Sequence, residues 1–285
     1  MDVIRHLQDA DAGIIDIEPY DQTIFSKVKD RTKLLVRFGV GYDKVDLEAA
    51  SQNGIAIART TGANTNSVAE MALTMMLATK RFVCMDDRKV RAGIWEKNVG
   101  HELIKATVGI LGFGAIGKKL SKLLSGFECR VIVYDPYLSE ETARNYGVEM
   151  VGLETLFKEA DAISIHLPYT EETHHMVGEK LLALMKPTAV ICNTARGNII
   201  DEDALYDVLK HKKIAGAGID VFANEPLPSD SSLRTLDNVI LTPHNSSQTE
   251  EALWNIYKMA IDIASDFFDG KDSAHILNKD YKEHM

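Results

Sequence analysis

The fold class this sequence predicts is α/β: a doubly wound parallel sheet, preceded by a smaller α/β domain. Three observations predict it. Val108 to Gly117 is a short apolar run entering a G-x-G-x-x-G turn, after which Leu120, Leu123 and Leu124 recur at helical spacing. Five further apolar runs follow, Arg130–Tyr134, Ala162–His166, Thr188–Cys192, Ile214–Ile219 and Asn238–Leu241, with helical stretches between most of them. They do not alternate with polar residues, as expected of parallel strands buried on both faces. Finally, 285 residues is long for one hydrophobic core and sets two domains as the starting expectation.

Before the glycine turn, Gly13–Ile17, Lys33–Phe38 and Gly54–Ala58 alternate with short helical patterns and read as three strands of a small parallel unit. The second strand runs into Gly39-Val40-Gly41-Tyr42-Asp43. Its glycines either present backbone N–H groups to an anion or make a bare strand-to-helix turn. Thr60 to Ser67 is a polar loop, and Ser67 with Glu70 three residues on reads as a capping box. The helix it opens, Val68–Leu77, is apolar nearly all round and is expected to be buried between domains or subunits, its methionines serving as packing. Asp86-Asp87-Arg88-Lys89 and Gly93-Ile94-Trp95 then mark the crossing into the second domain. The last helix, Thr249 to about Asp269, carries Leu253, Ile256, Tyr257, Ala260, Ile263, Ala264 and Phe267 on one face. It is long enough to return to the first domain. The expected boundaries are therefore residues 1–79 with 256–285 for the smaller domain and 80–255 for the larger.

Composition narrows the function. Apolar residues make up 45% and charged residues 26%, the balance of an ordinary soluble globular chain. A net charge of −10 gives no global electrostatic support to a nucleic-acid or anionic-membrane partner. Cys84, Cys129 and Cys192 are scattered in or beside apolar runs and read as core thiols of a reducing compartment. No apolar segment approaches bilayer length and Met1 to His6 carries no signal-peptide pattern, so the cytoplasm is expected.

The glycine turn supplies the first chemistry. Gly112 permits the tight turn, Gly114 lets backbone approach a pyrophosphate, and Gly117 lets helix pack on strand. The helix N-terminus offers N–H groups and a positive dipole end to phosphates. Asp135 ends the next strand 18 residues after Gly117, where a carboxylate takes the ribose hydroxyls of an adenine dinucleotide. It would repel a 2′-phosphate, so NAD is expected rather than NADP.

Ligands of such sheets bind beyond the carboxyl ends of the strands. There the sequence places Asn193-Thr194-Ala195-Arg196-Gly197, Asp220-Val221-Phe222-Ala223-Asn224-Glu225-Pro226 and Thr242-Pro243-His244. Arg196, Glu225 and His244, 29 and 19 residues apart, thus fall at corresponding ends of three successive strands. They suit hydride transfer at a carbinol carbon. His244 would remove the hydroxyl proton, Glu225 would hold the imidazole in one tautomer, and the Arg196 fork would clamp a carboxylate and polarise the reacting oxygen. The remaining histidines lack metal-ligand spacing, and no metal is expected.

With these motifs in order, the chain resembles the D-isomer-specific 2-hydroxyacid dehydrogenases, from about Asp9 to Glu251. The resemblance rests on Gly39-Val40-Gly41-Tyr42-Asp43, Ser67-Val68-Ala69-Glu70, the glycine motif with Asp135, Ala195-Arg196-Gly197, Asp220-Val221-Phe222 with Glu225-Pro226, and Pro243-His244. It implies a dinucleotide-binding Rossmann domain with a flavodoxin-like substrate domain. It also implies oxidation of a D-2-hydroxy acid, or reduction of its 2-keto acid, with NAD, using Arg196, Glu225 and His244. Cofactor positions carried over are Gly112, Gly114, Ala115, Ile116, Gly117, Asp135, Thr194, Ala195 and Asp220, the last holding the nicotinamide amide. Backbone of Val40 and Gly41 would take the substrate carboxylate, and a homodimer is implied, with the helix after Ser67 near its interface. The alternative is a dinucleotide-sensing scaffold of the same fold, like the co-repressors that share it.

The chain departs from the family pattern at three places. Arg59-Thr60-Thr61-Gly62 stands where Asn-Thr-Pro-Gly is common, Asn245-Ser246-Ser247 replaces a more apolar sequence after His244, and only Met1 to Ala12 precede the first strand. The last departure predicts that the smaller domain is abridged and that Ile14 to Ile17 form an unpaired apolar edge open to association. The expected substrate pocket wall is Pro19-Tyr20, Arg37, Arg59 to Asn64 and Trp95, with Arg37 or Arg59 available to a second anionic group.

Overall fold

Two parallel sheets organise the computed structural model, which describes residues 2–284. The chain divides into two units, one comprising the residues up to Asn64 together with those from Gln248, the other Thr65–Ser247.

In the first unit, β1 (Ala12–Ile15), β2 (Leu34–Arg37) and β3 (Ala56–Arg59) pair in parallel in that order, with Leu34 opposite Ala12 and Ala56. The period of two along each strand separates two cores. Ile15, Leu35 and Ile57 pack with Phe25, Val28, Ala49 and Ala50. Leu34, Val36, Ala56 and Ala58 pack with Ala260 and Ile263 of the helix Glu250–Phe268 and with Ile276 and Tyr281. The helix Gln22–Val28 starts where the Asp21 carboxylate accepts from the N–H groups of Thr23 and Ile24 at 2.9 and 3.2 Å. Among the described residues β1 pairs with β2 alone and is one edge of the sheet, with Ile14 and Ile17 exposed.

The second unit holds β4 (Thr107–Leu111), β5 (Arg130–Tyr134), β6 (Glu149–Met150), β7 (Ala162–Ile165), β8 (Val190–Asn193), β9 (Gly216–Ile219) and β10 (Val239–Leu241). All are parallel, in the order β10-β9-β8-β7-β4-β5-β6. β4 lies between β5 and β7, so connections leave it in opposite directions and a crevice opens at the carboxyl ends of β4 and β7. One face packs Leu111, Ile163, Ile191 and Ile219 under Phe157, Leu182, Leu205 and Leu209. The other packs Val108, Ile110, Val190 and Cys192 under Leu120, Leu124, Met75 and Met76. Truncating one of these fully buried side chains to alanine typically costs about 2–5 kcal/mol.

Several expectations change. The unit boundaries lie at Asn64/Thr65 and Ser247/Gln248 rather than at 79/80 and 255/256. The helix Thr65–Lys80 belongs with the second unit because Ala69, Ala72, Met75 and Met76 share a core with Val108, Ile110 and Val190. The charged run Asp86 to Lys89 marks no crossing. It lies within the helix Val83–Arg91 of the second unit. Tyr20, expected on a pocket wall, is buried in the core of the first unit, and Trp95 is 84% exposed on the second. β6 escaped notice because two residues carry no periodicity. Among the described residues, no helix is long and apolar enough to cross a membrane and no His/Cys/Asp/Glu group could hold a metal ion. All three cysteines are free thiols.

Candidate active site

The glycine turn joins β4 to the helix Ala115–Leu124 at the crevice. Gly112 has a φ of +94°, which L residues with a Cβ rarely adopt, and a Cβ there would lie 2.8 Å from the carbonyl of His166. A Cβ on Gly117 would lie 2.4 Å from the Gly112 oxygen, so helix and strand approach only because both are glycine. At Gly114, by contrast, a Cβ would meet nothing within 4 Å. No side chain caps the helix that starts at Ala115. The Asp135 carboxylate is fixed beside the turn, accepting from the N–H groups of Phe113 at 2.7 Å and Tyr137 at 2.8 Å. At the end of β8, Ala195 N–H donates to the Asn193 side chain, while the buried Thr194 hydroxyl has no hydrogen-bond partner among the described residues. Open space at Gly114, an uncapped helix start, an anchored carboxylate and an orphaned hydroxyl together fit an adenine dinucleotide.

Arg196, Glu225 and His244 follow β8, β9 and β10, which are neighbours in the sheet. His244 Nδ1 and Glu225 Oε2 are 2.9 Å apart, and the other carboxylate oxygen accepts from Phe222 N–H at 3.0 Å. Both side chains are mostly enclosed, 30% and 17% exposed. The Arg196 segment is held by the Asn193 amide, which donates to the Arg196 carbonyl at 2.9 Å. It abuts the Glu225 loop at Gly197, where a Cβ would fall 1.9 Å from the Phe222 carbonyl carbon.

A second histidine, His166, follows β7, with Nε2 on the Ser164 hydroxyl and Nδ1 without a hydrogen-bond partner among the described residues. Burial pushes its imidazole down to about 3, so it stays neutral at ordinary pH. Among the described residues, no carboxylate pairs with it. Of the two, His244 is the one with a carboxylate against its ring.

What holds His244 in place was not expected from the sequence. Its φ is +50°, a left-handed conformation that costs a non-glycine residue about 1–3 kcal/mol unless the surroundings impose it. Asp220, expected only as a nicotinamide ligand, imposes it. Its backbone carbonyl accepts from His244 N–H at 2.8 Å. Its fully buried carboxylate accepts from the Thr242 hydroxyl at 2.6 Å and from Asn245 and Ser246 N–H at 2.9 Å each. Ser67 completes the frame. It does not cap a helix, because the helix already starts at Thr65; its buried hydroxyl donates to the Ser246 carbonyl at 2.7 Å. Replacing Ser67 with alanine leaves that carbonyl unsatisfied, at about 1–3 kcal/mol. The expected result is a lower melting temperature and a fall in kcat of about tenfold, with NADH affinity retained and threonine restoring part of the loss. Unchanged kcat would remove Ser67 from the positioning frame.

In the first unit, Gly39 at a φ of +111° turns the chain out of β2. Gly39 N–H donates to the Thr60 hydroxyl at 2.9 Å and Thr60 N–H donates back to the Gly39 carbonyl at 3.1 Å. The N–H groups of Val40 and Gly41 have no partner among the described residues.

Comparison with known proteins decides the class. Residues 73–246 match the model of the D-isomer specific 2-hydroxyacid dehydrogenase, NAD binding domain. The chain belongs to this family. It is 36% identical to a glyoxylate reductase of Korarchaeum cryptofilum, covering 98% of this chain and 86% of that one. It is 40% identical to a D-3-phosphoglycerate dehydrogenase of Synechocystis sp., covering 91% of this chain and 49% of the longer relative. Among solved structures, an NAD-dependent formate dehydrogenase from Staphylococcus aureus in complex with NAD superposes with a TM-score of 0.86, at 33% identity, covering 97% of this chain and 85% of that one. The second unit of this family member is therefore an NAD-binding domain. A non-catalytic, dinucleotide-sensing role finds no support among these relatives.

Proposed function

We propose that this dehydrogenase interconverts a short D-2-hydroxy acid and its 2-keto acid, with His244 as acid/base, Glu225 as its orienting carboxylate and Arg196 as the substrate clamp. The observation that carries the reading is the 2.9 Å contact of His244 Nδ1 with Glu225 on a rigidly framed turn. With Nδ1 donating to the carboxylate, Nε2 is left to exchange the proton of the reacting hydroxyl. The Arg196 guanidinium would bind the substrate carboxylate through its planar fork and polarise the adjacent oxygen.

NAD would be held by Gly112, Gly114, Ala115, Ile116, Gly117, Asp135, Thr194, Ala195 and Asp220, and when bound it supplies the hydride acceptor. Backbone N–H groups of Val40 and Gly41 would take the substrate carboxylate in the first unit. The names of the relatives, a glyoxylate reductase and a D-3-phosphoglycerate dehydrogenase among them, support a small 2-keto acid as the substrate. We also infer a homodimer in the cytoplasm, as the resemblance and the composition suggest.

A panel of 2-keto acids with NADH tests the reading. Turnover of at least one is expected; tight NADH binding without oxidation by any would overturn it. Asp135 governs the choice of cofactor. Exchanging it for asparagine removes the charge and leaves one acceptor oxygen, enough for the N–H of Phe113 or of Tyr137 but not for both. The preference for NADH over NADPH in kcat/KM should fall by about tenfold, equivalent to about 1.4 kcal/mol. An unchanged ratio would place the discrimination elsewhere.

A further inference from the structure

The carboxyl ends of β2 and β3 place two arginines side by side. Arg37 and Arg59 are register partners on neighbouring strands. By the alternation that sends Leu35 and Ile57 into one core, both point to the same face of the sheet. Like charges placed directly opposite one another are destabilising unless something offsets them. For Arg37 the offset is on hand: it is buried, pairs with Asp16 at 3.2 Å and donates to the Phe38 carbonyl. Arg59 is different. No carboxylate lies within ion-pair reach of it among the described residues, and its guanidinium rests 5.3 Å over the Tyr42 ring.

A guanidinium held over a ring face by the cation–π attraction spends none of its N–H donors on a hydrogen bond there and has them to offer to a planar or tetrahedral anion. Tyr42 adjoins Gly41, and the paired hydrogen bonds between Thr60 and Gly39 tie the end of β3 to the loop that carries Val40 and Gly41. One end of this sheet thus gathers unpartnered N–H groups and an unpaired arginine, in a protein of net charge −10.

We propose that Arg59 binds a second anionic group on the substrate, making this enzyme selective for 2-keto acids that carry a phosphate or a second carboxylate beyond the reacting carbon. The proposal rests on the dehydrogenase reading above. The Val40–Gly41 N–H groups take the carboxylate common to all 2-keto acids, and Arg59 reads what lies at the other end. Lysine at this position would supply charge without the fork or the stacking plane.

The test compares kcat/KM for matched pairs: 3-phosphohydroxypyruvate against hydroxypyruvate, and oxaloacetate against pyruvate. The wild-type enzyme is expected to favour the dianionic member of at least one pair by about 10- to 100-fold, the range a charge-assisted contact provides. Which pair shows the larger ratio tells phosphate from carboxylate. In Arg59→Gln that ratio should collapse toward unity through a rise in KM for the dianionic acid, and Arg59→Lys should fall between. A wild-type ratio near unity, or a ratio unchanged in Arg59→Gln and Arg59→Lys, would overturn the proposal while leaving the dehydrogenase reading intact. Absence of turnover with all four acids and with the wider panel would overturn both.

Discussion

Exchanging His244 for asparagine is expected to lower kcat by about 10²–10⁴ while leaving NADH affinity within about twofold of the wild type. Asparagine is the informative choice because it tolerates the left-handed conformation that His244 adopts, so the turn framed by Asp220 survives. It retains a polar group but cannot accept and release the hydroxyl proton. Steady-state kinetics together with a fluorescence titration of NADH would check both halves. Comparable loss of NADH binding would mean that His244 supports the cofactor rather than the proton transfer. Glu225→Gln should lie between the wild type and His244→Asn, since its single carbonyl oxygen can serve Nδ1 or the Phe222 N–H but not both.

The second large effect is expected at Gly197. An alanine methyl there would sit 1.9 Å from the Phe222 carbonyl carbon and 2.2 Å from its oxygen, and neither is the far end of a flexible side chain. The strand ends must separate to admit it. That moves Arg196 on one side and, through the Phe222 N–H bond to its carboxylate, Glu225 on the other. Gly197→Ala should cost about 2–4 kcal/mol, lower the melting temperature by roughly 5–15 °C, and reduce kcat/KM by about 10²-fold in the protein that remains folded. Calorimetry and kinetics on the same preparation separate the two losses. A stable, fully active Gly197→Ala protein would show that the contact between the two loops is dispensable.

The parts of the fold carried by local pattern were legible in the sequence. β5 coincides with the expected Arg130–Tyr134, and the other long apolar runs lie within a few residues of strands, because strands buried on both faces must be apolar throughout. The glycine turn was equally readable, since its spacing follows from backbone geometry that only glycine permits. Meeting of His244 and Glu225 was inferable from topology alone: equivalent strand ends of one parallel sheet lie side by side.

Other features depended on tertiary competition. Ser67 and Glu70 have the spacing of a capping box, yet the hydroxyl goes to Ser246, far away in sequence, because the helix begins two residues earlier. The apolar surface of Thr65–Lys80 announced burial without saying against which sheet, and so the unit boundary was misplaced by its length. Asp220 showed how one buried carboxylate can serve a turn: its three accepted hydrogen bonds come from residues 22 to 26 positions away. Nothing local forecasts that. The register that sets Arg37 beside Arg59, and the position of Arg59 over the Tyr42 ring, likewise arise only once strands pair.

Hydride transfer to a 2-keto carbon under proton exchange with His244 can be followed through the hydrogen itself. The enzyme would be incubated with a 2-keto acid and NADH bearing deuterium at both C4 positions, and the product resolved on a chiral column and weighed by mass spectrometry. The wild type is expected to give a D-2-hydroxy acid with one deuterium at C2, and His244→Asn a strongly diminished yield. An L product, a product without deuterium at C2, or an undiminished yield from the variant would contradict this mechanism.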